Sequence, residues 1–180
     1  MVKSYLVILM RKVKRHILIQ SSPERVFEVL DDLSVTGMHM TSSSAMLMGS
    51  KLHLQYLTSH HVGLNSKYRW TGKMMGIKMD FTVEVTKWVR GLEKVWETID
   101  DAKMIIYSWY QMQLLISNEG RKTNAELSIT YKRPENIFAK LVSIIFADWY
   151  CNWCLKKMLN DAKKQLEEQE YGSTSSQHVV

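Results

Sequence analysis

Between Ile77 and Thr86 apolar and polar positions alternate without a break. Ile77, Met79, Phe81, Val83 and Val85 stand against Lys78, Asp80, Thr82, Glu84 and Thr86. A period of two predicts a strand with one dry face and one wet face. Lys51–Thr58 has the same character, with Leu52, Leu54 and Tyr56 opposing His53 and Gln55. Ser66–Lys73 follows, with Tyr68 and Trp70 in phase, and Leu92–Ile99, Met104–Ser117 and Arg121–Lys132 complete the series. In Met104–Ser117 the polar Gln111 and Gln113 turn Met112, Leu114 and Ile116 inward, whereas the apolar run at 105–110 leaves its own phase open. Gly63, Gly91, Asp100-Asp101 and Asn118-Glu119-Gly120 punctuate these runs as turns. Short turns make the neighbours antiparallel.

Two helical patterns flank the strands. After a short strand at Val13–Ile19, Ser22 stands ready to cap and Pro23 occupies a first helical position. Val26, Val29, Leu30 and Leu33 then form one face, so the first helix is expected to end near Leu33. Asp31-Asp32 at its end is read as solvated. Ser34–Ser50, with Met38, Met40, Met46 and Met48, reads as a short helix or an irregular loop. The second pattern is long. From Pro134 to about Glu170 no proline or glycine intervenes, and Gly172 is a natural stop. Ile137, Leu141, Ile144, Ile145, Leu155, Met158, Leu159, Ala162 and Leu166 keep three- and four-residue spacing. Phe138, Val142, Phe146, Trp149, Tyr150 and Trp153 make the first half apolar nearly all round, so it needs cover on several sides. A helix of ~36 residues spans ~54 Å, against ~33 Å for a ten-residue strand. It is the element large enough to cover the dry face of the sheet.

Composition narrows the classes. The chain has 180 residues, 46% of them hydrophobic, which suits one globular domain. The expected domain covers residues 10–170, with 1–9 an extension or misassigned start and 171–180 a disordered tail. A net charge of +6 and a pI near 9.2 are mildly basic, and no segment combines basic and aromatic residues as a nucleic-acid platform does. No run of about 18 apolar residues exists to span a bilayer, and no signal-peptide cleavage site follows Tyr5–Met10. The expectation is a cytoplasmic protein.

Candidate chemistry is sparse. Cys151-Asn152-Trp153-Cys154 matches a C-x-x-C pattern but falls mid-helix, where nothing stabilises a thiolate, and it lacks two further zinc ligands. It reads as two small apolar residues. His60-His61 falls in a turn, as a surface loop or a polar rim. Lys156, Lys157, Lys163 and Lys164 read as a wet helix face, or as cations for anionic headgroups if the apolar run docks on a membrane or a second copy. No P-loop, nucleophile elbow or H-E-x-x-H is present. No metal or cofactor is expected, and no residue is read as catalytic.

As a whole the chain resembles the START-like (SRPBCC) superfamily, which includes polyketide cyclases, lipid-transfer domains and the birch-pollen-allergen fold. The resemblance covers about residues 10–165. It is carried by the opening strand with Ser22-Pro23-Glu24-Arg25-Val26-Phe27, by Gly63 to Tyr68-Arg69-Trp70-Thr71-Gly72-Lys73, and by Gly76 to Thr86. It implies an α+β helix-grip fold: a curved antiparallel sheet of about seven strands wrapped around the C-terminal helix, with one or two short helices after the first strand. It also implies an apolar cavity between sheet and helix, holding a lipid-like or polyketide-like molecule. The alternatives are a cyclase/dehydratase-type enzyme using that cavity, or a noncatalytic module that binds a partner through an apolar helix face. The residues expected at the cavity are Met38, Met46, Tyr68, Trp70, Met79, Phe81, Val83, Tyr107, Trp109, Tyr110, Met112, Leu141, Ile145 and Trp149, with Arg69 as a polar anchor. The bulk of the helix's first half at Trp149, Tyr150, Cys151, Trp153 and Cys154 departs from the family and could fill the cavity, which leaves its size open.

Overall fold

The structure is a computed structural model that describes residues 10–37, 52–74, 77–100, 102, 104 and 106–175. Strand β1 (Met10–Ile19) leads into α1 (Pro23–Asp31) and the short α2 (Leu33–Thr36). Strands β2 (Leu52–Tyr56), β3 (Lys67–Met74), β4 (Ile77–Val89), β5 (Glu93–Thr98), β6 (Trp109–Glu119) and β7 (Lys122–Lys132) follow, and α3 (Ile137–Ser175) closes the chain. The described strands form one antiparallel sheet in the order β1-β7-β6-β5-β4-β3-β2. Chain neighbours are therefore sheet neighbours from β2 to β7, and β1 returns to the far edge beside β7.

Local chemistry accounts for the element ends. The Ser22 hydroxyl accepts from the Arg25 amide at 3.4 Å, with Pro23 in the first turn, and so caps α1. The long helix starts later than expected. Pro134 lies outside it, and the Asn136 side chain accepts from the amides of Phe138 at 3.0 Å and Ala139 at 3.2 Å. An asparagine satisfies two orphan donors, which proline cannot do. At the other end α3 passes Gly172 and runs to Ser175, into the stretch expected to be a disordered tail. Strand β1 begins at Met10 rather than Val13, pairing along its length with β7.

The sheet's inner face is the one the alternation marks as dry. Tyr68, Trp70, Phe81, Val83, Val85, Trp96, Leu114, Leu127 and Tyr131 are buried there. Against it lies the inward stripe of α3: Ala147, Cys151, Leu155, Met158, Leu159, Ala162 and Leu166. A register shift between Val85 and Lys87 changes the phase of β4. Odd positions face the core before it, and Trp88 turns toward α1 after it, packing edge-on to Phe27 with ring centroids 5.8 Å apart.

That turn of Trp88 reaches a group misread from the sequence. Asp31 is buried, not solvated. Its carboxylate accepts from Trp88 Nε1 at 2.8 Å and from the ammonium of Lys94, which is also buried. Lys94 further donates to the Asp31 carbonyl at 3.1 Å, at the C-terminal end of α1 where the helix dipole favours a cation.

Candidate functional site

A cavity of about 90 Å³ lies between the sheet and α3. Its floor comes from alternate positions on four adjacent strands: Tyr68 and Trp70 on β3, Met79 and Phe81 on β4, Trp96 on β5, Tyr110 and Met112 on β6. Period two sends these side chains to one face, and the curvature of the sheet brings them together. Leu52 on β2 and Ile129 on β7 extend that floor. Its roof is Tyr150, Cys151, Cys154, Leu155 and Met158, which three- and four-residue steps place on one side of α3. Leu33, Thr36 and Gly37 close one end, and Met104 and Tyr107 contribute from the segment between β5 and β6. Gly37 is needed for space: a Cβ there would stand 2.7 Å from the Trp70 ring and 2.6 Å from the Leu33 carbonyl oxygen.

No side chain that is charged at neutral pH is among these lining residues. Four phenols converge on the space. Burial pushes the pKa of Tyr68, Tyr107 and Tyr150 well above the ordinary phenol value and raises that of Tyr110. All four are therefore neutral hydroxyls that can donate or accept. The Tyr68 hydroxyl is wholly buried and has no hydrogen-bond partner among the described residues. A buried orphan of that kind costs about 1–3 kcal/mol.

The thiols behave as the sequence reading expects. Burial pushes the Cys151 thiol up to about 12, only partly opposed by the Tyr107 hydroxyl 3.8 Å away. Burial raises the Cys154 thiol too. The thiolate is the nucleophile, so native protein at pH 8 is expected to take up at most one iodoacetamide adduct, on the partly exposed Cys154. Urea-unfolded protein is expected to take two, as read by intact mass. Rapid modification of Cys151 in the native protein would contradict the burial. Among the described residues no cluster of three His, Cys, Asp or Glu side chains offers a metal site.

Of the residues expected at the cavity, Tyr68, Trp70, Met79, Phe81, Tyr107, Tyr110 and Met112 line it. Val83 is buried in the same face but does not reach the space. Met38 and Met46 lie outside the described residues. Five placements are corrected. Arg69 alternates with Tyr68 and Trp70 and so points to the outer face, where it forms two bonds of 2.7 Å to the Asp80 carboxylate. Trp109 alternates with Tyr110 and lies 5.3 Å from the Lys132 ammonium. Leu141, Ile145 and Trp149 face outward and are 55%, 67% and 54% exposed. Of the bulky residues of the helix's first half, Tyr150, Cys151 and Cys154 therefore do crowd the cavity, whereas Trp149 points away from it. The residues missed include Trp96, Met104, Ile129, Cys151, Cys154, Leu155 and Met158. Stepping backward from Leu166 through Ala162, Met158 and Leu155 in threes and fours leads to Cys151, so that signal was present.

A second, open groove lies between α1 and the β2–β3 turn. Glu28, Asp31, Asp32, Tyr56, His61, Trp88 and Arg90 are among its walls, and Leu33 borders both this groove and the cavity. His61 stacks on Tyr56 with ring centroids 4.0 Å apart. Its polar groups pair with one another: Arg90 with Glu28 at 2.6 Å, and Asp31 with Trp88 and Lys94. Of the histidine pair, His61 thus stands at a polar groove beside the cavity end.

Solved structures share this architecture. A protein from Thermus thermophilus, TTHA0849, aligns with a TM-score of 0.64 at 18% identity, over 88% of this chain and 99% of its own. Norcoclaurine synthase from Thalictrum flavum, in complex with dopamine and hydroxybenzaldehyde, aligns at 0.62 with 12% identity, over 88% and 87%. A major latex-like protein from Panax ginseng aligns at 0.53 with 12% identity, over 87% and 97%. No protein-family model matches the chain, and a search of curated proteins finds no match. Sheet order, gripped helix and cavity define a helix-grip protein. It is the fold that these solved structures share. No helix among the described residues is long and apolar enough to cross a membrane.

Proposed function

We propose that this chain binds a small hydrophobic molecule carrying one hydrogen-bonding polar atom, held between the sheet and α3 with the Tyr68 hydroxyl as its polar contact. The observation that carries the reading is that buried hydroxyl, partnerless among the described residues, on a mostly apolar and uncharged wall. Pockets for small molecules are mostly apolar with a few groups that fix orientation. Size argues against a long lipid chain: the cavity of about 90 Å³ is smaller than the apolar cavity of about 150 Å³ that takes benzene, so even a single ring needs the walls to give. Met79, Met104, Met112 and Met158 supply the give that a ring-sized guest needs, because unbranched thioethers rearrange easily. The norcoclaurine synthase neighbour holds aromatic molecules of that size in the same fold.

Binding is favoured over a cyclase or dehydratase reaction. Acid–base catalysis works best with groups poised near the operating pH. The described wall offers neutral phenols raised away from it and no carboxylate, imidazole or amine.

Tyr68→Phe separates ligand chemistry from packing. It removes an orphan hydroxyl, so the ligand-free variant is expected to unfold at the same or a higher temperature than wild type. Calorimetric titration with 4-hydroxybenzaldehyde is expected to show binding weakened about tenfold, the equivalent of one hydrogen bond of ~1.4 kcal/mol. Native mass spectrometry of gently purified protein is expected to show a retained small molecule. Equal affinity in the variant, or no uptake and no retained molecule in wild type, would overturn the reading.

A further inference from the structure

The first half of α3 presents the wrong face to water. Ile137 is 79% exposed and Phe138 76%, and Leu141, Ile144, Ile145, Phe146 and Trp149 are exposed beside them. Three- and four-residue steps, 138 to 141 to 145 to 149, gather Phe138, Leu141, Ile145 and Trp149 on a side turned away from Ala147 and Cys151, while Ile137 and Ile144, fourteen and seven residues before Cys151, are exposed on the Cys151 side. Within Ile137–Trp149 the charged residues are Lys140 and Asp148 alone. From Lys156 onward the outward positions turn charged, with Lys157 pairing Asp161 at 2.6 Å. A soluble helix buries its apolar stripe, and this one buries a stripe and exposes another. Contiguous exposed apolar surface marks a contact site.

Beside this face runs β1, an edge strand whose Arg11 and Arg15 share the phase that faces α3, while Lys12 and Lys14 take the other phase, where Lys14 pairs with Glu126 at 3.3 Å. Arg11 ties the two elements together. Its guanidinium bonds the Asp148 carboxylate at 2.8 Å, and Tyr131 donates to the other carboxylate oxygen at 2.6 Å. The one acid of the apolar stretch is thereby neutralised. Arg15, four residues on, shares the strand phase of Arg11. Lys140 adds a cation on the helix itself.

We propose that the outward face of Ile137–Trp149, rimmed by the cations of β1, docks this protein on an anionic membrane surface. The stretch spans roughly 18 Å at ~1.5 Å per residue, far short of the ~30 Å hydrocarbon core, so it lies in the interface and does not cross it. Large aliphatic side chains with phenylalanine and tryptophan enter the headgroup boundary, and lysine and arginine at the rim meet anionic lipid. A second copy fits the same face less well. An isologous contact pairs each patch with itself, which brings two basic rims together and costs repulsion. The contact needs nothing from the cavity.

Cosedimentation of the full chain with phosphatidylglycerol/phosphatidylcholine vesicles tests it. The protein is expected to bind these vesicles at least tenfold more tightly than pure phosphatidylcholine, and to release as salt is raised. Phe138→Ser with Ile145→Ser is expected to lower binding at least tenfold with an unchanged far-ultraviolet circular dichroism spectrum, because both side chains are exposed. Arg15→Glu with Lys140→Glu is expected to lower binding several-fold and flatten its salt dependence. No binding to anionic vesicles, or binding that the Phe138/Ile145 variant keeps, overturns the proposal. So does a dimer in light scattering that Ile145→Ser converts to a monomer, which would give the face to a second copy.

Discussion

Lys94→Met is expected to destabilise the fold by about 3–5 kcal/mol, the range for breaking a buried ion pair by removing one partner. Lys94 and Asp31 are 3% and 5% exposed. Burial lowers the Lys94 pKa, and the attraction of Asp31 offsets that only in part. The cation is thus costly to hold, yet its loss is costlier: it leaves a carboxylate buried at the end of α1 with Trp88 Nε1 as the remaining donor seen in the structure. The Lys94 ammonium also lies 5.1 Å from the Trp96 ring, and the substitution removes that cation–π attraction as well. Adding Asp31→Asn removes the stranded charge and keeps an acceptor for Trp88, so the double variant is expected to recover part of the loss. Urea unfolding followed by tryptophan fluorescence measures both. A single variant within about 1 kcal/mol of wild type would mean that water reaches Asp31.

Trp70→Ala is expected to cost about 3–5 kcal/mol as well, by a different route. Trp70 is 1% exposed and forms the cavity wall against Gly37. Removing the indole deletes apolar packing and leaves a void beside the existing cavity of about 90 Å³. In a chain of this length each 1 kcal/mol lowers Tm by about 2–4 °C, so a fall of roughly 10 °C is expected. Free indole replaces the missing ring and, by linkage, is expected to restore part of that fall in a concentration-dependent way. Differential scanning calorimetry with and without indole measures this. A destabilisation below about 1 kcal/mol would show that the site collapses around the smaller side chain. The full destabilisation with no response to indole would show that the cavity is closed to ligands of that size.

Strand parity was legible in the chain, and its consequences were available residue by residue. Once Tyr68 and Trp70 face inward, Arg69 has to face outward, and the Arg69–Asp80 pair is where it goes. The same rule sends Trp109 away from the side of Tyr110 and Met112. Those two misplacements came from weighing residue type over phase: arginine and tryptophan look like ligand contacts wherever they occur. The helix misplacements had another origin. Leu141, Ile145 and Trp149 belong to a stretch apolar nearly all round, and periodicity carries no direction where both faces are apolar. Contrast returns at Lys156, and there the inward stripe of Leu155, Met158, Leu159, Ala162 and Leu166 was readable.

The sequence by itself determined the order of elements, the antiparallel meander, the dry face of the sheet and the long closing helix. Each follows from local physics: side-chain period, turn residues and capping, which act over a few positions. Only the tertiary structure decided three things. It chose which face of the first half of α3 is buried, because that depends on rotation of the helix against a sheet far off in the chain. It placed Asp31 in the interior, because its partner Lys94 is on β5 and its second donor, Trp88, is aimed by a bulge. It left the Tyr68 hydroxyl without a partner among the described residues, because satisfaction of a buried group depends on every element that surrounds it.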